Sequence, residues 1–193
     1  MEHFYTIQGE GYHQGKAAYF IRLAGCDVGC HWCDVKDSWT VEASQIMLID
    51  ALIEELNTLP KGICVITGGE PAMYDLTYLC KAIHAAGWKA HIETSGAYPI
   101  KGSLDWICVS PKKFKAPIEP ALQMADELKV IVFNESDFDW GKKYAEKVSP
   151  ECRLYLQPEW SKEKLVLPLM VNYVKDHPEW NVSIQTHKYM GID

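Results

Sequence analysis

Apolar positions along the chain follow two patterns. Seven short runs are almost continuously apolar, which is typical of strands buried in a parallel sheet. They cover residues 18–24, 63–67, 90–94, 106–110, 128–133, 153–157 and 182–186. Four longer segments place apolar side chains at helical spacing, over residues 44–59, 76–86, 137–147 and 161–176. Strands and helices that alternate in this way predict βαβ units.

The connections limit the size of the barrel that these units can form. Residues 95–105 and 111–127 are too short or too rich in proline for a full helix with its loops. A complete eightfold barrel takes about 250 residues, and the chain has 193. The sequence predicts one α/β domain over residues 1–193, a shortened, incomplete (β/α) TIM-like barrel of parallel strands.

Unusual residues follow the carboxyl ends of the predicted strands. GCDVGCHWCD follows the first strand, GGEP the second, TSG the third, SPK the fourth, QP the sixth and QTHKY the last. Such loops converge on one face of a parallel α/β fold, where ligands bind. We therefore expect the functional site at the carboxyl ends of the strands.

Composition narrows the class of function. The chain is 48% hydrophobic and 11% aromatic, which indicates a folded protein. Its formal net charge of −7 disfavours a nucleic-acid partner. No run approaches the roughly 18 apolar residues that cross a bilayer, and the start lacks an export signal. We expect a cytoplasmic protein, with no membrane contact, that acts on a small molecule.

Three of the seven cysteines lie close together in the segment GCDVGCHWCD, here called the cysteine loop (residues 25–34). Cys26, Cys30 and Cys33 have the spacing CxxxCxxC. A four-iron cluster normally takes four cysteines, so three would leave one iron open to a ligand. A structural zinc ion needs four ligands, and zinc with His31 or a distant histidine stays an alternative. The other cysteines lie in apolar segments and are expected in the core: Cys64, Cys80, Cys108 and Cys152.

The cysteine loop resembles the radical S-adenosylmethionine (radical SAM) signature, with Trp32 at its aromatic position. The resemblance implies that the three cysteines hold a 4Fe-4S cluster and that the open iron binds S-adenosylmethionine (SAM), which yields a 5′-deoxyadenosyl radical. The segment after the second strand resembles the GGEP motif beside the methionine amino group. The resemblance implies SAM contacts from Trp32, Gly68, Gly69, Glu70, Ser95, Ser110 and Gln157. The two serines could instead cap turns.

Further motifs resemble the 7-carboxy-7-deazaguanine synthase family. TIQGEG, FIRLAGC, VGCHWCD, VITGGEP, IETSG, VSPK, LQP and QTHKY occur in the family's order, nearly from end to end. The resemblance implies a carbon–nitrogen lyase of queuosine and deazapurine biosynthesis. It would contract the ring of 6-carboxy-5,6,7,8-tetrahydropterin to 7-carboxy-7-deazaguanine with loss of ammonia. The radical would perform the chemistry, with no side chain as acid or base.

The same resemblance implies substrate contacts from Gln8, Glu10, Gly11, Arg22, Thr94 and His187. The Gln8 amide and the Glu10 carboxylate offer donors and acceptors that suit the aminopyrimidinone edge of a pterin. Arg22 suits the substrate carboxylate. Without the resemblance, a glycine-containing loop and a structural ion pair would explain these residues equally well.

One position departs from the family's pattern. The family is described as using Mg²⁺, with a hydroxyl ligand two residues after the third cysteine, where this chain has Val35. Magnesium keeps several water or substrate ligands. We expect Mg²⁺ to be needed, with Asp34, Asp37, Ser38 or a water as the open choices for a ligand.

The resemblance also implies partners. Similar proteins are homodimers, and a flavodoxin-type reductase would deliver the electron. Lys112, Lys113 and Lys115 form a basic run after the fourth predicted strand. On the predicted active face, this run could attract the anionic substrate or contact the reductase.

Two other functions fit part of the sequence. A radical SAM activase that makes a glycyl radical on a partner protein would carry the same cysteine spacing. An iron–sulfur or zinc binding module without catalysis would carry it too. TIQGEG, Arg22 and QTHKY favour the ring-contracting enzyme over the first, and GGEP argues against the second.

Overall fold

The computed structural model describes residues 2–30, 33 and 36–192. Eight strands form one sheet in chain order, in which the first strand is antiparallel to the second and the others are parallel. They are β1 (Glu2–Ile7), β2 (Ala17–Leu23), β3 (Ile63–Gly68), β4 (Lys89–Thr94), β5 (Trp106–Val109), β6 (Glu127–Val132), β7 (Arg153–Pro158) and β8 (Trp180–Val182). Since β1 does not pair with β8 in the described part of the chain, the barrel is open.

Six helices accompany the sheet in the described residues. They are α1 (Ile49–Leu56), α2 (Thr77–Ala85), α3 (Glu119–Gln123), α4 (Ser136–Ala145), α5 (Glu163–Asp176) and α6 (Thr186–Met190). None of the helices in these residues is long and apolar enough to cross a bilayer.

The structure confirms the predicted open α/β barrel and corrects some of its elements. Strand β1 was missed, because its residues are only partly buried and give no continuous apolar run. The helix predicted over residues 44–59 is limited to α1. Ile46 and Leu48, which are among the apolar positions of the predicted helix, are each 76% exposed. Residues 95–105, all of them described, contain no helix, as predicted.

The strand predicted over residues 182–186 is wrong. Strand β8 ends at Val182 and α6 begins at Thr186. The chain turns away from the sheet because its polar groups bind elsewhere: Thr186 N and Oγ1 both donate to Gly9 O, at 3.0 and 2.9 Å. Long-range hydrogen bonds here outweigh the local strand preference.

The two faces of the sheet differ in character. Successive residues of a strand point to opposite faces, and the outer face packs Tyr19, Ile21 and Ile66 against the helices in a large apolar core. Each fully buried aliphatic side chain there contributes about 1.5–3 kcal/mol. The inner face has only a small apolar cluster, formed by Ala18, Phe20, Ile63 and Val65 with Phe4 beside it. Polar and charged side chains occupy much of the rest of the inner face, including Glu93, Lys129 and Gln157.

The hairpin loop between β1 and β2, here called the N-terminal loop (residues 8–16), fills the amino-terminal half of the barrel interior. Tyr12 stacks on Trp106 with ring centroids 4.8 Å apart, and His13 packs on His91 at 4.6 Å. Gly11 has a φ of +64°, which glycine adopts without steric cost. The loop thus closes the barrel at the end opposite the cysteine loop.

The N-terminal loop also contacts the last segment of the chain, across the opening between β1 and β8. Gly11 N donates to Ser183 Oγ at 2.9 Å, and Gln185 Nε2 donates to Glu10 Oε1 at 2.7 Å. With the bonds from Thr186, these contacts form a seam between residues 9–11 and 183–186. The open side of the barrel is therefore joined by side chains instead of by a sheet ladder.

Candidate functional site

A cavity of about 270 Å³ opens at the carboxyl ends of the strands. It brings together most of the residues that the sequence analysis singled out: Gln8, Glu10, Arg22, Cys26, Cys30, Cys33, Gly68, Gly69, Glu70, Thr94, Ser95, Ser110, Gln157 and His187. Gly11 lies outside it, on the Glu127 side chain. The predictions for Trp32, Asp34 and Val35 concern positions outside the described residues.

The cysteine loop is held by backbone hydrogen bonds to its neighbours. Gly25 N donates to Ser38 O at 2.7 Å, and Gly25 O accepts from Glu70 N at 2.9 Å. A Cβ at Gly69 would overlap the Gly25 carbonyl, so this close approach of the two motifs requires glycine. The GGEP segment therefore fixes the base of the cysteine loop.

The three thiols of the loop are free and line the same cavity. Burial raises the pKa of Cys26, and it raises the pKa of Cys30 to about 11. In a four-iron cube each cysteine binds a different iron, so three thiols around one cavity fit such a cluster.

A polar clamp fixes the part of the loop between the first two cysteines. Lys115 Nζ lies 2.7 Å from Asp27 Oδ2, 2.5 Å from Tyr98 OH and 4.1 Å from the centre of the Tyr98 ring. Tyr98 OH also donates to Asp27. The hydrogen bond from Lys115 lowers the pKa of Asp27, and the bond to Asp27 raises the pKa of Lys115.

The other lysines of the basic run also have partners. Lys112 Nζ donates to Ser110 Oγ at 2.5 Å, and burial lowers the pKa of Lys112. Lys113 pairs with Asp137. The run therefore contributes to the walls and loops of the site as well as to its surface charge.

Glu70 is surrounded by donors from the protein itself. Its Oε1 accepts from Ala72 N at 3.0 Å and from Thr94 Oγ1, and its Oε2 accepts from Ser95 N at 2.8 Å and from Ser95 Oγ. A carboxylate has about four acceptor positions, so these bonds match its capacity. Glu70 joins the GGEP segment to the end of β4.

A group of charged and amide side chains lines one wall of the cavity and is here called the charged wall: Gln8, Glu10, Glu93, Lys129 and Gln185. Lys129 pairs with Glu10 and, at 3.0 Å, with Glu93 Oε2. Gln8 Nε2 donates to Glu93 Oε1 at 2.8 Å. Burial opposes ionisation of Glu10, but Lys129 outweighs it and lowers the pKa of Glu10 to about 2. This part of the cavity is both buried and ionic.

Glu93, Lys129 and Gln185 also line the cavity, although none of them was predicted as a site residue. A usable signal was present for Lys129, which interrupts a strand that is otherwise apolar. A charged residue is almost never buried without a partner. A lysine inside an apolar strand therefore predicts carboxylates on neighbouring strands or loops.

Arg22 and His187 lie on either side of the wall. Arg22 Nη1 is 3.3 Å from Glu2 Oε1, and its guanidinium lies 5.2 Å from the centre of the Phe4 ring. His187 packs so closely on Gly9 that a Cβ at Gly9 would overlap its ring. Glycine is therefore required at position 9 for His187 to reach the cavity.

Comparisons with known proteins agree with this arrangement. Residues 20–112 match the family model of the Radical SAM superfamily. The 7-carboxy-7-deazaguanine synthase of Flavobacterium psychrophilum is 52% identical over 192 residues, with 100% of this chain and 91% of that protein covered. The enzyme of that name from Synechocystis sp. is 45% identical over 191 residues, covering 99% and 91%. The crystal structure of QueE from Escherichia coli superposes with a TM-score of 0.83 at 30% identity, covering 95% of this chain and 92% of that one.

Proposed function

The chain belongs to the 7-carboxy-7-deazaguanine synthase family of radical SAM enzymes, and we propose that its charged wall binds the pterin substrate opposite the cysteine loop. The family is of the lyase type, in queuosine biosynthesis, and its members are not glycyl radical activases. We propose 6-carboxy-5,6,7,8-tetrahydropterin as the substrate, bound within one domain over residues 1–193.

The observation that carries this proposal is the single cavity shared by the three thiols and the charged wall. The aminopyrimidinone edge of a pterin presents N–H donors, which the Glu10 and Glu93 carboxylates can accept. The Gln8 amide adds a donor and an acceptor. Arg22, whose partner Glu2 is exposed, is the cation available for the substrate carboxylate.

The residues present fit the family's cofactors. Cys26, Cys30 and Cys33 would hold the 4Fe-4S cluster, and Gly68 and Gly69 allow the backbone to lie close to SAM. When bound, the cluster and SAM supply the one-electron chemistry that begins the reaction. The chain orients the pterin and limits the water around it.

Three predicted SAM contacts, at the carboxyl ends of β4, β5 and β7, make hydrogen bonds within the protein. Ser95 Oγ donates to Glu70, and Gln157 Oε1 accepts from Ser183 Oγ at 2.7 Å. Ser110 Oγ accepts from Lys112. We propose that their remaining donor and acceptor positions face SAM, and that Thr94 and His187 face the substrate.

Magnesium and the partners complete the proposal. We propose that Mg²⁺ bridges the substrate carboxylate, with Asp34, Asp37, Ser38 or a water in place of the family hydroxyl. A homodimer is supported by Leu165 and Leu169, exposed one turn apart on α5. A flavodoxin-type reductase would supply the electron, and the seven cysteines, all free where the structure describes them, suit the reducing cytoplasm.

Anaerobic turnover tests the proposed substrate. Reconstituted protein is given dithionite, SAM and 6-carboxytetrahydropterin, with and without Mg²⁺, and products are measured by mass spectrometry. We expect 7-carboxy-7-deazaguanine, with a higher rate when Mg²⁺ is present. Accumulation of 5′-deoxyadenosine with the pterin unchanged would overturn the substrate assignment.

Glu10→Gln tests the charged wall, with Glu151→Gln on the exposed surface as the matched control. A hydrogen bond to a charged group contributes about 1.5–3 kcal/mol, so kcat/KM should fall about ten- to hundred-fold in Glu10→Gln. It should stay at the wild-type value in Glu151→Gln. Equal kinetics in the two variants would exclude Glu10 from substrate binding.

A further inference from the structure

Lys129 is a buried cation that the binding scheme above does not place in contact with the substrate. Its side chain is 3% exposed and lies on β6, on the inner face of the barrel. Two carboxylates from different elements meet its ammonium: Glu10 from the N-terminal loop and Glu93 from β4. The sequence separations are 119 and 36 residues, so the fold alone creates this group.

The two carboxylates are held in the same way. Glu10 has Oε2 on Lys129 and Oε1 on the Gln185 amide. Glu93 has Oε2 on Lys129 and Oε1 on the Gln8 amide. Each oxygen has about two acceptor positions, so each carboxylate keeps room for a donor from a ligand. Lys129 is the group that the two carboxylates share.

The carboxylates around Lys129 stabilise the charge of its ammonium. Burial works against its ammonium, but Glu10 and Glu93 raise the pKa of Lys129 well above its ordinary value. Without that cation, the Glu10 carboxylate would lose the charge that outweighs its burial and lowers its pKa. The other titratable groups that face Lys129 are Glu127 on the same strand, Cys108 on β5 and Lys112 after β5.

Glu127 takes a separate role. Its Oε2 accepts from Tyr12 N at 3.2 Å and from Trp106 Nε1 at 3.1 Å, toward the closed end of the barrel. Burial raises the pKa of Glu127. It therefore binds the N-terminal loop, and among the described carboxylates only Glu10 and Glu93 are both paired with Lys129 and exposed to the cavity.

We propose that Lys129 is a positioning residue for substrate recognition, which holds the Glu10 and Glu93 carboxylates at a fixed separation for the N–H donors of the pterin. This inference rests on the proposed function. It concerns the substrate end of the cavity only, because the cysteine loop lies at the other end. Loss of Lys129 should therefore change the KM for the pterin before it changes SAM binding.

The test compares Lys129→Met and Lys129→Arg in the reconstituted holoenzyme, with KM and kcat for the pterin measured from pH 5.5 to 8.5. Lys129→Met should raise KM at least about tenfold at pH 7, the loss expected for one charged hydrogen bond. Its KM should rise further as the pH falls, because the Glu10 carboxylate takes up a proton more readily without its cation. Lys129→Arg should keep the pH profile of the wild type, with a smaller rise in KM.

A double-mutant cycle with Glu10→Gln separates positioning from general packing. If Lys129 acts through Glu10, the effects of the two substitutions on KM will not add. Additive effects, or a lower kcat with an unchanged KM and pH profile, would overturn the inference. If Lys129→Met does not fold, an unchanged KM in Lys129→Arg overturns it, and a raised KM supports it.

Two controls distinguish failure of the inference about Lys129 from failure of the proposed function. SAM binding to the reduced cluster, followed by electron paramagnetic resonance, should be the same in Lys129→Met as in the wild type, and a loss of SAM binding contradicts the positioning role. Wild-type protein that does not convert the pterin refutes the proposed function itself. Wild-type conversion with normal Lys129→Met kinetics refutes only the role of Lys129.

Discussion

Glu70 shows how a motif residue can serve the fold and the site together. Its side chain is 1% exposed, and donors from Ala72, Thr94 and Ser95 surround its carboxylate. The resemblance to the radical SAM signature predicts a contact between Glu70 and the SAM amino group. In this structure, that ammonium would have to share oxygens that already accept several hydrogen bonds.

Substitution of Glu70 by glutamine should therefore destabilise the protein as well as weaken SAM binding. The new NH₂ group would face donors and leave at least one of them without an acceptor, which costs about 1–3 kcal/mol. Urea unfolding should show this loss in Glu70→Gln, and no such loss in Glu54→Gln on the exposed side of α1. Equal stability of the two variants would show that Glu70 has no structural role.

Single residues also show what the sequence could predict. Cys26, Cys30 and Cys33 could be found because their spacing is local and is itself the signal. Glu93 and Lys129 could not be paired in advance, because a hydrogen bond between strands depends on the register and curvature of the sheet. Local motifs therefore identified the cysteine loop more completely than the charged wall.

At the scale of elements, the N-terminal loop is irregular in backbone but held by many contacts. Apolar side chains fill the interior of a closed barrel. Here Tyr12, His13 and backbone groups that bind Glu127 fill part of that space. Its glycines differ in what surrounds them. Gly11 faces the Glu127 carboxylate, whereas Gly15, with a φ of +85°, faces open space.

These two glycines make a matched pair for a stability experiment. Alanine at Gly15 should cost only the strain of a left-handed residue, about 1–2 kcal/mol. Alanine at Gly11 carries the same strain and also displaces Glu127, so its free energy of unfolding should fall by more. Thermal unfolding of Gly11→Ala and Gly15→Ala measures the difference. Equal melting temperatures would mean that the loop does not pack tightly on Glu127.

Regular elements were predicted well where burial is continuous and poorly where it is not. Strands β2 to β7 lie where their apolar runs place them, because both faces of an inner strand are covered. Strand β1 and the α1 region have exposed or mixed patterns. The apolar run over residues 182–186 predicted a strand there, but β8 ends at Val182 and α6 begins at Thr186, which hydrogen-bonds to Gly9.

At the scale of the whole molecule, the barrel interior makes stability depend on pH. Burial lowers the pKa values of His13 and His91 to about 4, from an ordinary value of 6.5. His91 is 5% exposed, and both ring nitrogens of His13 are buried without a hydrogen-bond partner. The folded protein therefore resists protonation of a histidine pair at its closed end.

The sign of the pH dependence follows from these shifts. Between about pH 6.5 and 4 the unfolded chain binds protons that the folded chain does not, so the free energy of unfolding falls as the pH is lowered. In His91→Phe one of the two titrating groups is removed, and the fall over this range should be smaller. Urea unfolding at several pH values measures both slopes. The same slope in variant and wild type would exclude His91 as a source of it.

The seam between residues 9–11 and 183–186 has a consequence for how the protein is made. A chain growing on the ribosome releases residues 9–11 well before the segment around Gln185. Until that segment emerges, Glu10 lacks the amide that orients one of its oxygens. The charged wall is therefore completed only when residues 183–186 meet residues 9–11.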